Sequence, residues 1–418
     1  MGNSLLTPSQ ITKYSIKLFI NSNAFMMSLN RQYDDRFGID GAKIGAQLRI
    51  RLPNDYTVTD GPGISLQDTI EQQDILTVSY QRHVDVAFTT AERTLDIDDY
   101  AERILMPRVN VLAGNVAQTI MYGSEGGVSN ISANVDSSNN ILAVNSTPYL
   151  NAGALLDDNS APYLGSKGER KIVNDPHTDA RATAALQGLF NPATSISQQF
   201  MTGTMKNALG FSWMRDQTVI KHTSGTQASG TLNGANQSGV SLTVTALTGT
   251  LVQGDIITVA GVNAVNRVTK ASTGQLRQFV VTANAAIGAT TISIYPALIP
   301  ALNQTPYMQL PYTPQQYQTV TAFPASNAAW TQFTNASVTY RKSIAYAPDA
   351  VTMVVAPLWM PPGGKGVIEA ARHEMDDVSM RSLVCFEPGT DQPVDRLDVL
   401  FGYLYIRPEW ASVVADVI

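Results

Sequence analysis

One stretch of this chain is almost free of charge, and that depletion limits what it can fold into. The chain has 28 Lys and Arg residues and 34 Asp and Glu residues, yet residues 223–336 hold only Asp255, Arg267, Lys270 and Arg277. Short apolar segments in this stretch alternate with polar residues and are separated by Gly, Asn and Pro. That pattern is typical of strands and turns. We therefore predict a small all-β unit within a larger chain.

The alternation places four strands, at residues 241–246, 254–259, 279–283 and 290–295. The expected inward positions are Leu242, Val244, Ile257, Val259, Val281, Ile292 and Ile294. Short strands at close spacing suit a closed barrel, which has no open edge. Residues 300–324, rich in Gln, Tyr and Pro, are expected to be an irregular return path. Because helical and mixed patterns lie on both sides, the barrel is predicted to be an insertion.

The longest helical pattern spans residues 96–122, where apolar residues recur at intervals of three and four. Asp96 is a suitable N-cap, and Gly123 is a suitable stop. Pro107 should bend the helix, because it removes a backbone donor. At ~1.5 Å per residue the element would be about 40 Å long. We predict a spine against which the flanking segments pack.

The segment before this helix reads as a helical arm followed by a hairpin. Thr7 and Pro8 mark the start of an amphipathic helix, which either packs on its own domain or reaches a neighbouring subunit. Residues 47–52 and 75–88 alternate as strands, and few large apolar residues lie in the connection between them. Such a hairpin cannot form its own core and should lie against something else. An ordinary surface hairpin is the alternative interpretation.

The remaining segments indicate a mixed α/β region. A helix is expected at residues 149–157 and a strand at 171–173, and Asp175 with Pro176 should start another helix. After the barrel, strands are expected at residues 351–355, 380–386 and 399–406. We expect these later strands to return to the sheet begun before the barrel.

The sequence offers no credible active site. His83, His177, His222 and His373 lack metal-ligand partners at i+2 to i+4 and are interpreted as structural or exposed. Cys385, the single cysteine, lies in an apolar strand pattern and is expected to be buried. We predict no catalytic residue, no cofactor and no metal site. A formal charge of −6 argues against direct nucleic-acid readout, and no window is apolar enough for a membrane helix.

The order of these elements resembles that of the major capsid (coat) proteins of tailed double-stranded DNA phages of the P22 type, which have the HK97-like fold. Three segments carry the resemblance: VQGDIITVAGVNAVNRVTK at residues 252–270, YRKSIAYAPDAVTMVVAPL at 340–358 and RPEWASVV at 407–414. The first is similar to the barrel motif of the family's insertion domain, the second to the segment that re-enters the capsid core, and the third to the closing strand.

The resemblance implies an α+β, HK97-like fold. Its parts would be an N-terminal helical arm (1–46), an extended loop (47–89), a peripheral domain with the spine helix (90–125), the first part of the axial domain (126–222), the inserted β-barrel domain (223–336), and an axial and peripheral return (337–418). Arg49, Arg51, Glu71 and Asp74 are the candidates for contacts between subunits.

The implied function is that of a shell subunit without catalysis. Subunits would form hexamers and pentamers of an icosahedral head, assembled in the host cytoplasm around a scaffolding protein. A portal protein and packaged double-stranded DNA, contacted without sequence specificity, would be further partners, and no membrane would be involved. Two alternatives remain: a β-rich binding module such as an adhesin or virion decoration protein, and a hydrolase with dispersed carboxylates.

Overall fold

The computed structural model describes residues 8–31, 47–58, 61–64, 66, 72–87, 104–165, 168–185, 207–300, 316–362, 366–375, 377–387 and 392–418. The chain divides into two compact units, and each is built from separate stretches of sequence. The first comprises Met1–Ile50, Asp74–Ile120 and Val351–Leu404, and the second comprises Arg51–Gln73, Met121–Ala350 and Tyr405–Ile418.

Helices and strands both contribute to the described residues, as expected for an α+β chain. The helices are α1 (Pro8–Ser22), α2 (Ala24–Ser28), α3 (Met106–Tyr122), α4 (Ser146–Asp158) and α5 (Pro176–Ala185), and 3₁₀ turns lie at Gly123–Gly126 and Pro408–Trp410. The strands are β1 (Gln47–Leu52), β2 (Gln72–Thr77), β3 (Tyr80–Ala87), β4 (Asn130–Ala133), β5 (Leu164–Gly165), β6 (Gly168–Glu169), β7 (Lys171–Asn174), β8 (Asn207–Ala208), β9 (Phe211–Arg215), β10 (Lys221–Thr223), β11 (Ser229–Thr231), β12 (Gly239–Thr243), β13 (Ile256–Val265), β14 (Ser272–Val281), β15 (Thr291–Leu298), β16 (Ala329–Gln332), β17 (Thr339–Tyr346), β18 (Val351–Ala356), β19 (Val367–Met375), β20 (Val378–Glu387), β21 (Gln392–Tyr405) and β22 (Ala411–Val417).

The first unit is organised around a five-stranded sheet in which β18, β21, β20 and β19 follow one another and β3 also pairs with β21. Helix α3 joins this sheet through Arg108, which is buried although the apolar spacing gave no sign of it. Its Nη1 donates to Asp395 at 2.7 Å, and its Nη2 donates to the carbonyl oxygen of Val84 at 3.0 Å. The guanidinium thus connects the helix to both β21 and β3.

Helix α3 corresponds to the later part of the predicted spine. Its apolar stripe is buried as expected, with Leu112, Val116 and Ile120 each at most 2% exposed. Residues 96–103 of the prediction lie outside the described residues. Pro107 is the second residue of α3, and the two residues before α3, Ile104 and Leu105, form a π-helical turn. The change of helix type thus falls directly before the proline, which has no backbone N–H to donate. The expected bend at Pro107 stays a prediction.

The N-terminal helix α1 packs against β19 and β20 of its own chain. Ile16 and Phe19 are almost fully buried, and the Oγ of Ser9 lies 2.8 Å from the Nε2 of His373 on β19. Asn23 separates α1 from α2, because its side chain accepts a hydrogen bond from the backbone N–H of Met26 and so caps the second helix. Of the two alternatives for the amphipathic arm, packing on its own chain describes α1.

The predicted strand at residues 75–88 is divided in two. β2 pairs with β1 in a two-stranded sheet, whereas β3 pairs with β21. The break falls where Gly402 of β21 approaches the backbone of Thr77 and Val78 so closely that a Cβ at Gly402 would lie 2.9 Å from the Cα of Val78. Beyond this crossing, Tyr80 stacks on Phe401 with ring centroids 5.5 Å apart.

The second unit contains a mixed seven-stranded sheet. Its order is β4, β22, β17, β7, β9 and β8, and β10 also pairs with β17. β22 runs parallel to β4, and β7 runs parallel to β9. Nearly every residue of β17 and β22 is buried, which is typical of central strands covered on both faces. Helix α5 starts as predicted, with the carboxylate of Asp175 accepting from the N–H of His177 at 2.9 Å.

The charge-poor stretch forms an antiparallel sheet of six strands, in the order β11, β16, β13, β14, β15 and β12. A bridge between Leu232 and Val244 joins the two outer strands, so the sheet closes into a barrel. All seven positions predicted to point inward are buried in its apolar cluster. Trp330 fills the centre and lies on Gly230, where a Cβ would come within 2.8 Å of the indole nitrogen.

Two other expectations are wrong. The three strands predicted after the barrel, β18, β20 and β21, do not join the seven-stranded sheet that contains β7. They lie together in the five-stranded sheet, whose strand from before the barrel is β3. Cys385 is partly exposed rather than buried; it lies near the end of β20, opposite Val367 at the start of β19.

The close approach at Gly402 yields a first prediction. Gly402→Ala should lower the free energy of unfolding by about 1–3 kcal/mol, because the added methyl group meets main-chain atoms that cannot move aside. Urea denaturation of the full chain measures the effect. Gly63→Ala is the matched control, since a Cβ there has no heavy atom within 4 Å and should change stability by less than about 0.5 kcal/mol. Equal stability of the two variants would contradict the prediction.

Candidate functional site: the polar seam of the barrel

All four charged residues of the barrel face parts of the chain outside it. Asp255 is hydrogen-bonded to His222. Arg267 donates to Asp55 and to Glu409, and Arg277 donates to Asn159. The fourth, Lys270, lies near Asp55: burial lowers the pKa of Lys270, and the charge of Asp55 opposes that shift. We call these contacts, together with those of Gln278 described below, the polar seam.

His222 is one of the most enclosed groups of the seam. Its ring is 2% exposed, its Nδ1 lies 3.0 Å from Glu125 and its Nε2 lies 2.9 Å from Asp255. Burial by itself lowers the pKa of His222, but the hydrogen bonds to Asp255 and Glu125 outweigh burial, and the pKa is raised overall. The ring therefore favours its cationic form between two carboxylates.

The turn that carries Asp255 requires a glycine. Gly254 has φ +99, a conformation that L side chains rarely adopt, and a Cβ there would lie 3.0 Å from the His222 ring and 3.1 Å from Glu125. The carboxylate of Asp255 also accepts from the N–H groups of Val252 at 2.7 Å and Gly225 at 3.1 Å. The Gly254-Asp255 pair of the barrel motif thus fixes the carboxylate against the histidine.

Lys342 and Tyr340 complete this part of the seam from β17. His222 is directly opposite Tyr340 in the pairing of β10 with β17, and the two rings meet edge to face at 5.4 Å. Lys342 lies two residues further along the strand and so on the same face. It is fully buried, and its Nζ has no hydrogen-bond partner among the described residues. Burial lowers the pKa of Lys342 to about 8, although Glu125 and Asp255 oppose the shift.

A second ionic group surrounds Arg267. Its Nε donates to Asp55 at 3.1 Å, and its Nη1 donates to Glu409 at 2.5 Å. Tyr295 of the barrel also donates to Glu409, at 3.1 Å. Burial by itself would raise the pKa of Glu409, but Arg267, a backbone hydrogen bond and Arg407 together outweigh burial, and the pKa is lowered. Arg267 therefore connects the barrel to the segment after β1 and to the turn before β22.

Three neutral side chains hydrogen-bond to backbone groups across the boundary of the barrel. The amide side chain of Gln278 on β14 accepts a hydrogen bond from the N–H of Ile131 at 2.8 Å and donates one to the carbonyl oxygen of Ile131 at 2.9 Å. Both backbone groups of this β4 residue are thus hydrogen-bonded, as they would be to a neighbouring strand. At the other end of the barrel, Asn139 donates to the carbonyl oxygen of Phe333, and Asn335 donates to that of Ser138. The Asn- and Ser-rich stretch before α4 is therefore a docking loop for the barrel.

The chemistry of the seam is that of attachment. The two carboxylates at His222 bind opposite ring nitrogens, so the three groups do not converge on one point as metal ligands would. Among the residues that the structure describes, no group of three His, Cys, Asp or Glu side chains could hold a metal ion. Three hydrogen-bonded ionic contacts fix position and orientation instead.

The residues singled out from the sequence as subunit-contact candidates lie elsewhere. Arg49 and Arg51 are exposed on β1, Asp74 is half-buried on β2, and Glu71 lies outside the described residues. None of the three described residues belongs to the seam. Sequence reasoning did not identify His222 and Arg267 as residues that connect the barrel to its surroundings. The scarcity of charge in the barrel was a usable signal, because the few charged residues in such a stretch are expected to have ionic or hydrogen-bond partners.

Comparison with known proteins gives the family. The model of the family described as P22 coat protein, gene protein 5, matches residues 9–414. No curated protein matches the chain. No helix in the described part of the chain combines the length and the apolar character needed to span a membrane.

The chain is similar to several solved structures. One, described as Mycobacterium phage Che8, has a TM-score of 0.44 at 12% identity and covers 94% of this chain and 90% of that chain. A virus-like particle from Pyrococcus furiosus has a TM-score of 0.40 at 8% identity, with 97% of each chain covered. The CUS-3 coat protein I-domain is 28% identical over 26% of this chain and 96% of its own, with a TM-score of 0.20.

The family assignment rests on the sequence match, which extends from α1 to β22 and includes the barrel with all its seam residues. The chain therefore belongs to the P22 coat protein family and is a phage major capsid protein, a component of the virion.

Proposed function

We propose that this chain self-assembles into the hexamers and pentamers of an icosahedral phage head with an HK97-like subunit fold. Its domains are the six segments defined from the sequence. Assembly proceeds in the host cytoplasm through a procapsid formed with a scaffolding protein, a portal protein occupies one vertex, and the finished shell encloses double-stranded DNA. The net charge of −6 supports a wall that encloses DNA without gripping it.

The observation that carries this proposal is the exposure of apolar residues in the segment after β1. Val58, Ile64 and Leu66 are 94%, 91% and 93% exposed, and Tyr56 is 57% exposed. Even a few large apolar side chains left exposed on a segment that cannot form its own core mark an interaction surface. Each would contribute about 1.5–3 kcal/mol on burial. A neighbouring copy of this chain is the proposed cover, and Arg49, Arg51, Glu71 and Asp74 are the proposed charged contacts around it.

One contact of the seam also holds the start of the exposed apolar segment in place. Arg267 binds Asp55, three residues before Val58. The apolar segment therefore leaves the subunit from a fixed point, with the barrel as its support. The alternative function, a β-rich binding module, has no specific feature in its favour among the described residues.

Replacing the three most exposed apolar residues tests the assembly proposal. Val58→Ser, Ile64→Ser and Leu66→Ser together should leave the fold intact, because these side chains are exposed. They should raise the concentration needed for shell formation at least tenfold, which corresponds to about 1.4 kcal/mol per subunit added to the shell. Sedimentation velocity and negative-stain microscopy, with and without a candidate scaffolding protein, measure the effect. Val240→Ser with Ile287→Ser, two exposed barrel positions, is the control. Wild-type yields of shells from the triple variant would refute the proposal.

Arg267 provides a second test, of the support for the segment. Arg267→Gln should destabilise the full chain by roughly 2–3 kcal/mol, because it leaves the buried carboxylate of Glu409 poorly compensated. Asp55→Asn should cost less, since Arg267 keeps Glu409, but it should increase protease cleavage within residues 53–66. Urea denaturation and limited proteolysis distinguish the two effects. If both variants matched the wild type in stability and cleavage, Arg267 would not hold the segment.

A further inference from the structure

The environment of His222 demands a proton on both ring nitrogens. An ionised carboxylate only accepts hydrogen bonds, and His222 faces one carboxylate at each nitrogen, Glu125 at 3.0 Å and Asp255 at 2.9 Å. A neutral imidazole donates from one nitrogen only and presents a lone pair at the other. Loss of the proton would therefore set a lone pair against a carboxylate oxygen on one side of the ring.

The three groups come from three different parts of the second unit. His222 belongs to β10 of the seven-stranded sheet, Glu125 to the 3₁₀ turn after α3, and Asp255 to the turn that leads into β13 of the barrel. His222 and Asp255 are at most 2% exposed, and Glu125 is 19% exposed. A single ring thus joins the barrel and the 3₁₀ turn to the sheet.

The charges around the ring are balanced only when it is cationic. Glu125 and Asp255 supply two negative charges, and His222 and Lys342 supply two positive ones. Tyr340, the remaining titratable group at the ring, stays neutral because burial raises its pKa. Lys342 has no hydrogen bond from its Nζ to any described residue, so it contributes charge but does not replace the ring as a donor.

The geometry points to His222 as a proton-operated latch: the protonated ring holds the barrel and the 3₁₀ turn to the sheet, and deprotonation loosens the barrel without unfolding it. The barrel remains folded because its apolar cluster is formed by barrel residues alone. This inference concerns the subunit itself and does not depend on the proposed assembly.

The direction of the pH effect follows from the raised pKa of His222. A base whose pKa is higher in the folded state stabilises that state fully below its unfolded value, about 6.5, and the stabilisation is lost as the pH rises through the folded value. Lys342 has the opposite effect on stability, and at higher pH. Because burial lowers its pKa to about 8, the folded state is destabilised where Lys342 is protonated, and this destabilisation decreases as the pH rises above about 8. The latch therefore opens on the alkaline side of pH 6.5.

Hydrogen–deuterium exchange of the full chain at pH 6, 7.5 and 9, corrected for intrinsic rates, tests the latch. In the wild type, the amides of residues 221–226 and 252–255 should lose at least tenfold in protection between pH 6 and pH 9, while β13, β14 and β15 stay protected. In the variant His222→Gln, the glutamine can donate to only one of the two carboxylates. The same amides should therefore be poorly protected from exchange at every pH. His177→Gln, at an exposed histidine, should behave as the wild type.

Two results would overturn the proposal. One is equal seam protection from pH 6 to pH 9 in the wild type, and the other is unchanged pH dependence in His222→Gln. If that variant fails to fold, nuclear magnetic resonance of the wild type labelled with ¹⁵N-histidine decides. One of the four histidines should keep both ring nitrogens protonated above pH 6.5. Titration of all four at or below pH 6.5 would exclude the latch.

Discussion

The structure of the second unit depends on pairing a few charges between the barrel and the elements around it. The apolar cluster of the barrel contains only barrel residues, and the cluster at the seven-stranded sheet contains none of them. Each part therefore has its own core, and the seam supplies specific polar contacts between them. Buried ion pairs add little net stability when their desolvation is counted, but they tolerate few alternative arrangements. The seam consequently specifies where the barrel sits more than it strengthens the fold.

Much of this architecture follows from local patterns. The alternation in residues 241–295 identifies the central barrel strands and every one of the seven inward positions, because a strand with one buried face has period two. The apolar face of α3 and the start of α5 at Asp175 and Pro176 could also be predicted from the sequence. The short strands β4, β11 and β16 were missed, since three or four residues carry too little pattern. The break between β2 and β3 was also missed, because its cause is the backbone approach at Gly402, far away in sequence.

The seam illustrates what one sequence without its structure conceals. Glu125 precedes His222 by 97 residues, and Asp255 follows it by 33. No local spacing rule connects them, so His222 could be recognised only as a structural or exposed residue. Arg108 is a similar case: its position in α3 carries a charge, yet it is buried against Asp395. What the sequence does reveal is the scarcity of charge in the barrel, which marks Asp255 and Arg267 as exceptions that need partners.

The placement of the barrel's charges also determines how its outer surface meets the solvent. With Asp255, Arg267, Lys270 and Arg277 all turned toward the rest of the subunit, the outward face consists of amides, hydroxyl groups and scattered aliphatic side chains. Such a face has no fixed charge for salt to screen and no group that titrates near neutrality. Contacts made there would depend on shape, hydrogen bonding and small apolar side chains, with no contribution from charges of the barrel itself.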